Sequence, residues 1–119
     1  LMAFSIALGA FAAHSLKKQL NSEQLNVFEV GVRYQLYHAF ALFIVGFLFI
    51  HFEDKRKQIN RSSTFFIVGI ALFSGSLYLL TIANLVHNQN FKWLGMITPF
   101  GGISFIAGWI TLFFALFKK

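Results

Sequence analysis

The sequence predicts an all-α membrane protein: a four-transmembrane-helix bundle with a short amphipathic segment between helices one and two. Three observations lead there. Hydrophobic residues make up 57% of the 119 and charged residues only 12%, about half the charged share of an ordinary soluble domain. A chain this short forms one domain and leaves much of its surface outside any core, so the solvent for that apolar surface must be lipid. The apolar residues also fall into four long runs, with the charges between or just beyond them.

The first run covers about residues 1–16 and is closed by Lys17 and Lys18. It is too short to span as it stands, so a truncated N-terminus is expected, with another turn or two ahead of Leu1. A basic n-region and a small-x-small cleavage site are missing, which argues against a removable signal peptide. Next comes a polar stretch with its own helical signal. Asn21 can cap, Glu23 suits the positive end of the helix dipole, and Gln24 stands where a capping box needs it. Leu25, Phe28, Val32 and Leu36 follow at spacings of three and four, the pattern of an amphipathic helix lying at an interface.

The second run spans about 34–52 and ends at Glu53-Asp54-Lys55-Arg56-Lys57. The third spans about 64–86, and the fourth about 94–117. At 1.5 Å per residue each crosses a hydrocarbon core of roughly 30 Å. Each must be helical, because lipid offers no partner to an open backbone. Pro99 falls about one turn into the fourth run, where a missing N–H matters least.

Sidedness follows from the basic residues. Lys55, Arg56, Lys57, Arg61, Lys118 and Lys119 lie on one side, and Lys17, Lys18, Arg33 and Lys92 on the other. The expectation is a multi-pass protein of the inner (cell) membrane with both termini cytoplasmic. Tyr34, Tyr37 and Trp93 would form the outer aromatic belt, with Trp109 deeper toward the inner side. Helices in lipid associate through close contact of small residues. Gly9, Gly46, Gly75, Gly101 and Gly108 are the candidates for helix packing, with Ser5, Ala13, Ala71 and Ser104 beside them on their helices.

Polar side chains at membrane depth mark interhelix bonds or function. His14, Gln35, His38, Ser74, Tyr78, Thr81 and Thr98 form a candidate polar cluster in the outer half, with Ser74, Tyr78 and Thr81 as a stripe running toward Asn84. Three readings compete. In the first, the cluster is structural, with His38 bonded to Gln35, Thr98 or Tyr78. In the second, it holds a small polar headgroup or ion. In the third, His14 and His38 are axial ligands of a haem in a small redox protein. A zinc site is weaker, since two His without Cys or a nearby carboxylate leave coordination incomplete.

The net charge of +6 does not imply nucleic acid, because the basic residues bracket apolar runs and form no exposed basic face. The sequence contains no Cys, which excludes disulfides, thiolate metal sites and a Cys nucleophile. Every acidic residue lies outside the apolar runs, which removes a Ser-His-Asp relay or a carboxylate pair within the membrane. No catalytic residue, metal or cofactor is therefore expected. The expected partners are membrane lipids, with a homo-oligomer or a larger membrane complex left open.

Five stretches carry a resemblance. Gly9-Ala10-Phe11-Ala12-Ala13-His14-Ser15-Leu16 resembles a G-A-F-G-A-H-G-L motif, departing from it at Ala12 and Ser15. Tyr34-Gln35-Leu36-Tyr37-His38 resembles Y-Q-M-Y-H, and Phe73-Ser74-Gly75-Ser76-Leu77-Tyr78 matches F-S-G-S-L-Y. Leu94-Gly95-Met96-Ile97-Thr98-Pro99-Phe100-Gly101-Gly102 fits L-G-x-I-T-P-x-G-G, and Gly108-Trp109 completes the series. Together they resemble the small membrane protein family catalogued as domain of unknown function 423, whose eukaryotic relatives are transmembrane protein 256-like. The resemblance implies a four-helix membrane protein, with more apolar residues before the first motif, and it implies no particular activity. The expected role is structural, lipid-interacting or accessory.

Overall fold

A computed structural model describes residues 2–15, 18, 21–85 and 93–117. Four helices account for nearly all of them, and no strand occurs among the described residues. They are α1 (Met2–His14), α2 (Ser22–His51), α3 (56–85) and α4 (Leu94–Phe117), with a 3-10 turn at Glu53–Lys55. The expected helix limits at Leu1, Leu16 and Val86 lie outside the described residues, as do Lys17, Lys92, Lys118, Lys119 and the Asn84 side chain.

Asn21 opens α2 as its residue type suggests. The Gln24 N–H donates to Asn21 Oδ1 at 2.8 Å, and the Asn21 N–H donates to Gln24 Oε1 at 3.3 Å, a reciprocal capping box. The helix then runs 30 residues without a break. The amphipathic segment is therefore the first part of α2 and not a separate element. No proline interrupts residues 22–51, and the apolar face of the segment has protein to pack on. Leu25, Phe28 and Val32 cover Leu8 and Ala12 of α1 and Tyr78 of α3. At about 1.5 Å per residue α2 is roughly 45 Å long, so it extends beyond the hydrocarbon layer.

The third helix also starts earlier than its apolar run, at Arg56. Its polar first turns bury Ile59 and Ser62, so packing carries the helix past the hydropathy boundary. Residues Ile70–Ser74 form a π-helical turn, with the Gly75 N–H bonded to the carbonyl of Ile70. Two side chains close the helix ends at this pole of the bundle. Lys55 Nζ donates to the carbonyl of Leu116 at 3.1 Å, and Arg56 Nε to that of Phe49 at 2.9 Å. Both use carbonyls in the last turns of α4 and α2, which have no partner within their own helices.

The main core lies between α2, α3 and α4. It comprises Ala41 and Val45, Ile59 and Phe66, and Phe105, Leu112 and Ala115. The pairings along it make α3 antiparallel to both neighbours, with α2 and α4 parallel. Helix α1 packs beside the first part of α2, and its Met2 end reaches the level of Leu36, Tyr37 and Phe40. Outside the core the surface is apolar: Phe43, Met96 and Phe117 are each more than 70% exposed. Three segments are long and apolar enough to cross a membrane, 22–51, 53–83 and 95–117, whereas α1 is apolar but shorter. In the 18-residue apolar window of each long segment only 28–33% is buried against the rest of the bundle. Lipid is what can cover the rest.

Candidate functional site

The polar residues expected to converge on one cluster form three separate contacts. The first is the α3–α4 contact, where Ser76 Oγ and Thr98 Oγ1 lie 2.6 Å apart and Ser76 also donates to the carbonyl of Phe73. Next is the α2–α3 contact. Tyr78 O–H donates to Gln35 Oε1 at 2.6 Å, and Ser74 Oγ donates to the carbonyl of Gly31 at 2.6 Å. Thr81 turns back on its own helix and donates to the carbonyl of Leu77. His14 is exposed at the last residue of α1, apart from these bonds.

The third contact joins α2 to α4 through His38, which is buried. Its Nδ1 lies 2.8 Å from the carbonyl of Tyr34, and its Nε2 lies 3.1 Å from Trp109 Nε1. A carbonyl can only accept and an indole N–H can only donate. His38 is therefore the tautomer with the proton on Nδ1, and its Nε2 lone pair is engaged. The ring stacks on Phe105 with centroids 3.6 Å apart and planes 10° apart. Phe66 borders it at 5.5 Å and Trp109 at 5.9 Å. Tyr34 extends the aromatic layer toward Phe73, at 4.8 Å.

This geometry corrects two expectations. His38 pairs with Trp109, and not with Gln35, Thr98 or Tyr78, which are bonded elsewhere. A haem with His14 and His38 as axial ligands does not fit either. Axial ligation needs a free imidazole lone pair pointing at open space, whereas His38 has one nitrogen donating, the other accepting, and a phenyl ring against its face. No group of three or more His, Cys, Asp or Glu gathers to hold a metal among the described residues.

The glycines divide in the same way. An added Cβ at Gly101 would stand 2.7 Å from the Phe73 Cα, and one at Gly108 would stand 2.7 Å from the Phe66 ring. Gly9 has ordinary room, with Val32 at 3.7 Å. Gly46 and Gly75 do not lie at the crossings where they were expected, since a Cβ at either would meet nothing within 4 Å. Sequence reasoning missed Gly31, where an added Cβ would stand 2.9 Å from the Tyr78 ring, and Gly69, which Phe105 covers. It also missed two bonds that tie α3 to α4. Ser62 Oγ donates to the carbonyl of Gly108 at 3.0 Å, and Ser104 Oγ to that of Phe65 at 2.7 Å. Ser104, spaced between Gly101 and Gly108 on one face of α4, was the available signal.

Among the described residues no buried side-chain nitrogen or oxygen lacks a hydrogen-bond partner. Fold and site thus define a class: an integral membrane helix bundle whose buried polar side chains find their partners within the bundle, in other side chains and in backbone carbonyls. Within that class the chain belongs to the family described as Protein of unknown function (DUF423), whose family model matches residues 8–102. It is similar to the UPF0382 membrane protein YwdK of Bacillus subtilis (strain 168), at 40% identity over 96% of this chain and 87% of that protein. A UPF0382 membrane protein of Haemophilus influenzae is 38% identical over 98% of this chain and 86% of its own. The UPF0382 inner membrane protein YgdD of Escherichia coli (strain K12) is 36% identical over 87% of this chain and 73% of its own. No solved structure matches the chain. Of the residues that make interhelix contacts, His38, Ser74, Ser76, Tyr78, Thr98, Gly101, Gly108 and Trp109 lie within the motifs that carry the family resemblance, and Gly31, Ser62, Gly69 and Ser104 lie outside them.

Proposed function

We propose that this membrane protein is a non-enzymatic structural component of the inner membrane, lipid-embedded and accessory to other membrane proteins, with both termini cytoplasmic. The observation that carries this reading is His38. The most chemically versatile side chain in the bundle is spent at both nitrogens on packing α2 against α4, which leaves no lone pair for a substrate, proton relay or metal. The bonds of Gln35, Ser74 and Ser76 extend the same pattern, since each joins two helices. Membrane lipids are the partners this surface suits, and a second copy or a larger complex could cover part of it. The Escherichia coli relative, an inner membrane protein by name, supports the inner-membrane assignment, and the basic residues around α3 support the sidedness.

Gentle detergent extraction followed by native mass spectrometry and absorption spectroscopy tests the proposal. The expected product is a colourless chain carrying only lipid adducts, in the natural sequence and in His38→Ala alike. A stoichiometric non-lipid adduct, or a Soret band, that disappears in His38→Ala would overturn it.

A further inference from the structure

At the pole where α2 passes into α3, a groove of about 480 Å³ opens between the start of α3 and the last turns of α4. From the α3 side it is lined by Lys55, Gln58 and Arg61, with Asp54, and from the α4 side by Ile110 and Phe114. The charged groups in the lining leave an excess of one positive charge. Arg61 stands five residues beyond Arg56, so about 7 Å further along the helix axis, alongside the apolar residues of α4. Its side chain is exposed and makes no ion pair or hydrogen bond among the described residues. Lys55 uses one N–H on the carbonyl of Leu116, and an ammonium group carries three. On the facing helix Ile110 and Phe114 are 51% and 57% exposed and one turn apart, a strip suited to a hydrocarbon chain.

A guanidinium at the edge of the hydrocarbon layer finds its best available partner in a lipid phosphate, which matches its fork of donors. We propose that this groove binds an anionic phospholipid, with the phosphate held by Arg61, Lys55 and Gln58 and an acyl chain lying along Ile110 and Phe114. The site deepens the lipid-interacting reading above and rests on it. A basic pocket between membrane helices with an apolar wall beside it recognises both parts of such a lipid, whereas a free anion would use only the first.

The full chain in detergent, titrated with phosphatidylglycerol, with phosphatidylcholine of the same chains, or with inorganic phosphate, tests the site by thermal shift. Phosphatidylglycerol should raise the melting temperature, and the other two should not. Arg61→Gln should weaken that lipid's binding roughly tenfold, the effect of losing a hydrogen bond to a charged group, and Arg61→Lys should retain part of it. Lys57→Gln removes the same charge from a residue outside the groove and should leave binding intact. Equal losses in Arg61→Gln and Lys57→Gln would overturn the site, as would an equal response to inorganic phosphate. Equal stabilisation by the two lipids would overturn this site and leave the general lipid-embedded reading standing. A chain that stays folded and monomeric without detergent would overturn both.

Discussion

Trp109 gives His38 its second partner, and a conservative change can remove that partner while keeping most of the ring. Trp109→Phe leaves Nε2 without its donor but still packs near Phe66, whose ring lies 4.9 Å away. Interhelix hydrogen bonds in membranes average about 0.6 kcal/mol, so a loss of that order is expected in a detergent melt. Trp109→Ala should cost more, because packing against Phe66 is lost as well. The pair formed by Tyr78 and Gln35 can be measured directly. A double-mutant cycle with Tyr78→Phe and Gln35→Leu should give a coupling of roughly 0.6–1.7 kcal/mol, and zero coupling would show that the bond adds nothing. The residue types at these positions were readable from the sequence, since a polar group at membrane depth needs a partner. The choice of partner was not, because Thr98, Tyr78 and Trp109 all lie on helices whose rotation about their axes the sequence does not state.

Helix α4 presents Gly101, Ser104 and Gly108 to α3, and the closest approach falls at the π-helical turn. Gly101 sits on the Phe73 backbone there, and backbone cannot swing aside as a flexible side chain can. Gly101→Leu should therefore destabilise the bundle by at least about 1–3 kcal/mol, the usual cost of overpacking, read as a lower melting temperature in detergent. Gly75→Leu should be tolerated, although its sequence spacing suggests the opposite, because the space beside Gly75 is open. Equal damage from both would show that the helix faces are assigned wrongly. Small residues in register identify a helix that can be approached closely. Which of them is approached depends on the facing surface, and on α3 that surface is rotated by one wide turn at Ile70–Ser74.

Across the whole molecule, sidedness is the property most open to direct measurement, since a chain without cysteine allows single-cysteine labelling. With both termini cytoplasmic, Lys18→Cys should react with a membrane-impermeant maleimide on intact cells, and Lys57→Cys should react only after lysis. The reverse pattern would invert the topology. The Lys55 and Arg56 bonds to the ends of α4 and α2 bear on the same point. Part of the positive charge at this pole closes helix ends, so charge counting alone overstates how much of it is there to meet the membrane.

Local signals were enough to determine that this chain is an all-α membrane protein, where its long apolar segments lie, that Asn21 and Gln24 start a helix, and that α4 carries a close-packing face. Each depends on residues near one another in the chain: hydropathy over a span, a cap and its third neighbour, small residues one turn apart. Only the tertiary structure decided that α2 and α3 begin well before their apolar runs, that His38 meets Trp109 and Phe105, and that the polar residues divide among three separate contacts. Those outcomes depend on how far each helix is rotated and at what depth it meets its neighbour, a balance of packing across the whole bundle that no single segment encodes.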